Sequence, residues 1–448
     1  MTTKNRIATL HRFWHALGED VHAVNLTGLS PDPVPLPSKL AVADLAWASV
    51  TAAAGSASLL TTFPAQARTD PRRVALAFQS DRHLRLNGEA PTVWSPLSGF
   101  WQTSDGWVRT HGNYPHHARA LLRALELGPH VSETPLAGAL RERESAQVAA
   151  QISDAGGLCV AVQSEDTETD RLLRLKPIVE LTKVTDSREQ KPRQALADAP
   201  LRGIRVLDLT RVIAGPVATR TLAQLGADVL RLDPRHMSEF DWQHFDTGHG
   251  KRSALLDIAT EPEQWQRLLA HSDVVVLGYR AEGLSKLGLD PHSLLQRHPD
   301  LVVARLTAWG KDAPRRRGFD SLVQAEAGIS WIESDDDTRP GALPAQALDH
   351  SAGYLLAAGI CAALRRRQRE GGGWLVETSL RRIAAELLGM PRSTLPSQPE
   401  AFITQDDLQT FEVATTQLTT VRPAVQLWGG RDEFVAPRPW GRDMASWE

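Results

Sequence analysis

The pattern of apolar and polar positions is clearest from Leu201 onward, in LRGIRVLDLTRVIAGPVATRTLAQLGADVLRLDP. A short apolar run, Ile204 to Leu209, ends in a polar Asp-Leu-Thr-Arg turn. Ala214-Gly215-Pro216 then opens an amphipathic helix that Gly226 closes, and a second apolar run, Ala227 to Leu232, ends on Asp233. Strand, tight turn, helix, strand predicts a βαβ unit. The alternation continues with strands at 252–258, 273–277 and 301–307 and helices at 262–271 and 291–298. Strands alternating with helices of this length imply a parallel, Rossmann-like α/β sheet with right-handed crossovers, which binds ligands at the carboxyl ends of its strands.

The first two hundred residues follow another pattern. An Ala-rich helix is expected at 41–60, a strand at 72–78 (RRVALAF), a Trp/Gly-rich loop at 94–106, helices at 116–127 and 140–154, and a strand at 157–163. Together they predict a smaller α+β domain. TDSREQKPRQALADAP, 185–200, mixes charge with proline, lacks apolar periodicity and reads as a linker. The organisation expected is an N-terminal lobe at 1–184, the linker, a core at 201–395 and a tail at 396–448. A faint repeat joins the two parts. Proline, Asp, Ala-rich helix, break and strand occur in that order both in the segment from Pro37 to Phe78 and in the segment from Pro344 to Leu388.

Composition narrows the function classes. With 448 residues, 42% hydrophobic and 23% charged, the chain has material for two or three buried cores. A net charge of -3 provides no long-range attraction for nucleic acid or an anionic membrane, and neither is expected as a partner. No run of roughly 20 apolar residues and no apolar leader is evident, and Cys159 and Cys361 lie in apolar runs, so a cytoplasmic setting with free thiols is expected.

Four clusters could carry chemistry. The turn from Thr210 to Pro216 has small residues that admit a ligand to the backbone at a helix start, although an ordinary βα turn has the same look. Gly248-His249-Gly250-Lys251-Arg252-Ser253 suits a phosphate or a solvated basic turn. In RRRGFDSL, Asp320 either caps the helix it precedes or is a carboxylate oriented there as a nucleophile. His111, His116 and His117 invite a metal reading, but they lack helical i, i+4 spacing and acidic or Cys companions, so no metal site is expected.

These segments together resemble the family III CoA-transferases (the CaiB/BaiF family, which includes formyl-CoA transferase and α-methylacyl-CoA racemase). The resemblance runs in order from about Leu201 to Leu388, through GHGKRSALLDI, DVVVLGYRAEGLSKLGLD, RRRGFDSLVQAEAGI and LDHSAGYLLAAGICAALRRRQREGGGWLVETSL. It implies that Asp320 is the catalytic nucleophile. Attack on an acyl-CoA would give a mixed anhydride and then an aspartyl-CoA thioester, from which a carboxylic acid takes the CoA. It places CoA, as substrate rather than tightly bound cofactor, on Arg211, Val212, Ile213, Ala214, Arg231, Lys251, Tyr279, Lys286 and Leu287. Lys251 and Arg231 are expected to meet its phosphates.

The sequence departs from the family at Gly278 to Glu282, in lacking the glycine loop over the aspartate, and in having only about sixty residues after Leu388. The segment from Trp94 to Leu125 resembles, more weakly, the family's small domain. The implied order is a second-half-like copy first, then a first-half-like copy, forming a homodimer or a pseudo-dimer within one chain. Two alternatives stay open: a racemase with His292 as base, although Phe319 stands where racemases tend to have His, and a catalytically silent CoA-binding protein.

Overall fold

The computed structural model describes residues 3–447 apart from 21–22, 25–27, 31, 62–64, 188–195, 197 and 393–400. The predicted βαβ alternation forms a seven-stranded sheet. Its order is Arg252–Leu255, Asp228–Asp233, Arg205–Leu209, Val274–Leu277, Val302–Thr307, Trp374–Ser379 and Glu180–Lys183. Six strands run parallel, and Glu180–Lys183 closes one edge antiparallel to Trp374–Ser379. Order reverses between Arg205–Leu209 and Val274–Leu277, which opens a crevice at the strands' carboxyl ends.

Two long helices fill the space beside this sheet. Val42–Ser58 and Ala347–Glu370 are rich in Ala, Gly and Ser and are buried on nearly every side. Small residues let them pack closely on each other, with Ala214–Gln224 also against the second. Gly353 shows how close the approach is: a Cβ there would sit 2.6 Å from the Ala214 carbonyl oxygen. Ala347–Glu370 is long and apolar enough to cross a bilayer by length and composition, contrary to the sequence expectation, but its apolar stretch is wholly buried inside the protein. One apolar core runs through both parts of the chain, from Leu10 and Trp47 to Val206, Leu355 and Val425.

The repeat becomes sharper in three dimensions. RRVALAF, expected as a strand, is the helix Pro71–Phe78. Pro71 at its first position and the Asp70 carboxylate, which accepts from the Arg72 and Arg73 amides, start a helix that local apolar content alone did not suggest. The strand of this copy is Ala67–Thr69. Helix, strand, helix thus occurs as Val42–Ser58, Ala67–Thr69, Pro71–Phe78 and again as Ala347–Glu370, Trp374–Ser379, Leu380–Leu388.

Gly99–Gln102, Trp107–Thr110 and Cys159–Ala161 form an antiparallel sheet backed by helices Pro115–Ala124, Glu133–Arg141 and Ser145–Asp154, with its own apolar core. This is the smaller α+β domain; the single helix expected at 140–154 is interrupted at 142–144. The tail returns to the large sheet, where the Asp443 amide donates to the Ser253 carbonyl and the Gly441 amide to the Ser253 hydroxyl. Most of the expected linker falls outside the described residues.

Candidate functional site

A cleft of about 340 Å³ lies where the sheet reverses order. Its floor is the turn after Arg205–Leu209, and its walls are the turns after Val274–Leu277 and Val302–Thr307 together with the segment 316–319. The smaller domain adds Tyr114, His116 and His117 as a further wall, so both parts of the chain build one site. Val212 in the floor has φ of +73°, a backbone conformation that a β-branched residue adopts only at a cost. Such strain concentrates at functional sites.

Asp320 begins the helix Asp320–Glu326, as the sequence suggested, but it does not cap that helix. Its carboxylate faces the N-terminus of Ala347–Glu370, where the Asp349 amide donates to Oδ2 at 2.8 Å and Gln324 Nε2 donates to Oδ1. Burial raises its pKa to about 6, against these hydrogen bonds, which favour the charged form. Burial and then the neighbouring Asp320 charge push Asp349 well above the usual carboxylate range. At neutral pH the pair therefore holds one proton on Asp349 and the charge on Asp320. Asp349 and Phe319 reach the cleft wall, whereas Asp320 has no exposed surface. Phe319 is clamped by His111, with the rings stacked at 4.2 Å. Gly318 is needed beside it, because a Cβ there would meet Trp309 Nε1 at 2.4 Å.

The structure divides the expected CoA-binding residues. Arg211, Val212, Ile213, Ala214 and Tyr279 line the cleft. Tyr279 presents a buried hydroxyl without a partner. Arg211 lies over the Tyr114 ring and donates to the carbonyls of Met237 and Ser238 and to Glu239.

Arg231 and Lys251 instead point into the protein. Arg231 is engaged by Asp233 at 2.7 Å and Glu239 at 2.9 Å, and Lys251 by Asp208 at 3.0 Å, the Thr219 hydroxyl and the Pro216 carbonyl. Burial lowers Lys251 to about 8, with Asp208 working the other way. Their charges are matched internally, so the expected phosphate contacts are not the arrangement found. Lys286 pairs with Glu282 on the surface, and Leu287 is exposed; neither lines the cleft.

Besides Arg211, three cationic residues that line the cleft were missed. Arg280, Arg316 and Arg317 stand on its rim. Arg316 is neutralised by Glu326 and lies over the Trp309 ring. Arg317 donates to the neutral Gly156 carbonyl at 2.7 Å, and its pKa falls through burial and then through the charge of Arg280. The Arg-Arg-Arg run before Asp320 was the available signal. His117 and His111 are both depressed to about 3, chiefly by burial, and are neutral imidazoles. Among the described residues no group of three or more His, Cys, Asp or Glu is arranged to hold a metal. His292 is exposed on the helix Pro291–Arg297 and does not line the cleft, which removes the base expected for a racemase.

An arginine-rimmed crevice on a Rossmann-like sheet, with a buried carboxylate pair at its wall, defines the class of open α/β proteins with a cleft at the sheet's switch point. Residues 201–402 match the family model of CoA-transferase family III, a little under half of the chain. The chain is 35% identical over 205 residues to the probable fatty acyl-CoA transferase Rv3272 of Mycobacterium tuberculosis, covering 42% of this chain and 52% of that protein. It is 31% identical to succinate–glutarate CoA-transferase of Agrobacterium fabrum, over 46% of this chain and 55% of that protein. Among solved structures, a CAIB/BAIF family protein from Brucella suis matches at 26% identity and a TM-score of 0.40, over 49% of this chain and 65% of that one. The chain spans about half the length of the curated relatives it matches.

Proposed function

We propose that the protein transfers CoA between an acyl-CoA and a carboxylic acid, with Asp320 as nucleophile. The observation that carries this reading is the Asp320 carboxylate, held ionised at a helix N-terminus beside an arginine-rimmed cleft. Asp320 attacks the thioester carbonyl, the C–S bond breaks, and CoA thiolate leaves a mixed anhydride. The thiolate then attacks the aspartyl carbonyl, releasing the first acid and forming an aspartyl-CoA thioester. The second acid attacks that thioester, expelling the thiolate and forming a second mixed anhydride; the thiolate then attacks the carbonyl of the second acid, giving the new acyl-CoA and freeing Asp320. Each step exchanges one acyl bond for another, which divides a hard transfer into easier ones. The side chain must rotate out of its buried position to reach the cleft.

Arg280 and Arg317 are the cations placed to meet CoA phosphates, Arg211 being held by Glu239, and the Tyr279 hydroxyl is free to bond to the ligand. The wall formed by Tyr114 and His117 supports a site completed within one chain, the pseudo-dimer reading. Two buried free cysteines are in keeping with the cytoplasmic setting we also propose. Incubation with acyl-CoA and hydroxylamine or borohydride, followed by mass spectrometry, is expected to find Asp320 modified. Deuterium exchange at the α-carbon with no adduct would overturn the transferase in favour of a racemase.

A further inference from the structure

A second cavity, of about 200 Å³, lies on the other side of the Asp320 helix. Phe319 and Asp349 border the first cleft, while Ser321 and Gln324 border this one, and Gln324 is the residue that donates to Asp320 Oδ1. The catalytic carboxylate thus stands between two spaces. Arg109, from the strand Trp107–Thr110 of the smaller domain, lines the second. Its guanidinium lies 5.2 Å from the Trp94 ring centroid and 4.7 Å from that of Phe100. Its Nε is enclosed with no hydrogen-bond partner, and its pKa is lowered to about 10 by burial. The Ser321 hydroxyl, on the same cavity, is also buried without a partner.

Arg109 is half-buried with its Nε enclosed and unbonded, and the Ser321 hydroxyl is buried and unbonded; polar atoms left so are costly unless something binds them. The cavity's other charges leave that need unmet. Arg82 donates to the Pro344 carbonyl, and Asp81, raised to about 6 by burial and by Asp246, faces the same space. Two cations against one carboxylate leave an excess of one positive charge.

We propose that this cavity is the binding site for the free carboxylic acid, with Arg109 and Ser321 holding its carboxylate between the Trp94 and Phe100 rings. This rests on the CoA-transfer reading above and adds a class of substrate to it. The volume is below the roughly 300 Å³ of drug-sized ligand sites, so the acid is a small one with an apolar or aromatic body rather than a long-chain fatty acid. Gln324 and Ser321 then lie on the path by which its carboxylate approaches the aspartyl thioester.

Titration calorimetry on the full chain, with phenylacetate and its neutral isostere phenylacetamide, tests the assignment. Wild type is expected to prefer the carboxylate by at least about ten-fold, a preference that Arg109→Gln abolishes and Arg109→Lys partly keeps. In steady state, Arg109→Gln raises KM for the acid and leaves KM for the acyl-CoA unchanged. No preference for the carboxylate in the wild type, or equal binding of phenylacetate by Arg109→Gln, overturns the subsite. Thermal melts of both variants show that each is folded. Asp320→Asn separates the two readings. Continued transfer by that variant would sink the reaction assignment while leaving the calorimetry valid. An inert Asp320→Asn with unaltered acid binding by Arg109→Gln would sink the subsite alone.

Discussion

The two helix–strand–helix units carry an aspartate at the same place with opposite surroundings. Asp44 is the third residue of Val42–Ser58, and Asp349 is the third of Ala347–Glu370. Asp44 is paired at 3.2 Å with Arg6, whose guanidinium also lies over the Trp47 ring. Among the described residues Asp349 meets no cation, and it faces the Asp320 carboxylate instead. One copy closes its helix start with a matched charge, and the other leaves two carboxyl groups sharing one proton beside a cleft. The same local architecture thus ends in a matched ion pair in one half and in a proton-sharing carboxyl pair at a cleft wall in the other.

The strongest way to sharpen this contrast is Asp320→Asn. It removes the proposed nucleophile and should lower transfer by at least about 10³-fold in a coupled acyl-CoA assay. Stability should move the other way. A carboxylate raised from 3.8 to about 6 on folding binds its proton more tightly in the native state. Its contribution is therefore lost as pH climbs from about 4 to about 6. Asp320→Asn should flatten that part of the pH–stability curve, read from urea midpoints. An unchanged curve would mean that the buried pair does not hold the proton as described.

Asp44→Asn attacks the other copy. It removes the Asp44 carboxylate from a buried pair with Arg6, and breaking such a pair typically costs about 3 kcal/mol or more. Chemical denaturation should show this loss while the pH dependence of transfer stays the same. Gly353→Val comes next. A branched side chain against the Ala214 carbonyl and Val217 forces apart the two helices that position Asp349 and the cleft floor, for a loss of about 2 kcal/mol and a raised KM for acyl-CoA.

Much of this contrast was legible in the sequence. The parallel sheet followed from alternating apolar runs, because each strand is buried on both faces and bounded by turn residues. Asp320 could be named because its segment resembles a known family, and the structure puts it at a helix start. The helix Pro71–Phe78 was misread because apolar content outweighed the Asp70-Pro71 start signal. Arg231 and Lys251 were misplaced for another reason. A basic residue near a ligand edge looks the same in sequence whether it faces outward or, as here, is bound by Asp233, Glu239 and Asp208 from neighbouring strands and loops. Arg109 gave no sequence signal at all, since its role depends on a cavity assembled from both parts of the chain.

The smallest expected effect belongs to Asp349→Asn. Because Asp349 carries the proton of the pair near neutrality, an amide in its place changes little charge and should leave stability within about 1 kcal/mol, unlike the substitution at Asp44. The rate should still fall on the acid side. Asp320 is ionised above about pH 6 and protonated below it, so kcat/KM should drop about ten-fold per unit below that point in both wild type and Asp349→Asn. A midpoint that moves well down in the variant would show that Asp349 is charged in the folded protein and raises its neighbour by repulsion. In that case the reactive copy would depend on two carboxylates sharing charge, and the difference from Asp44 would lie in repulsion rather than in burial.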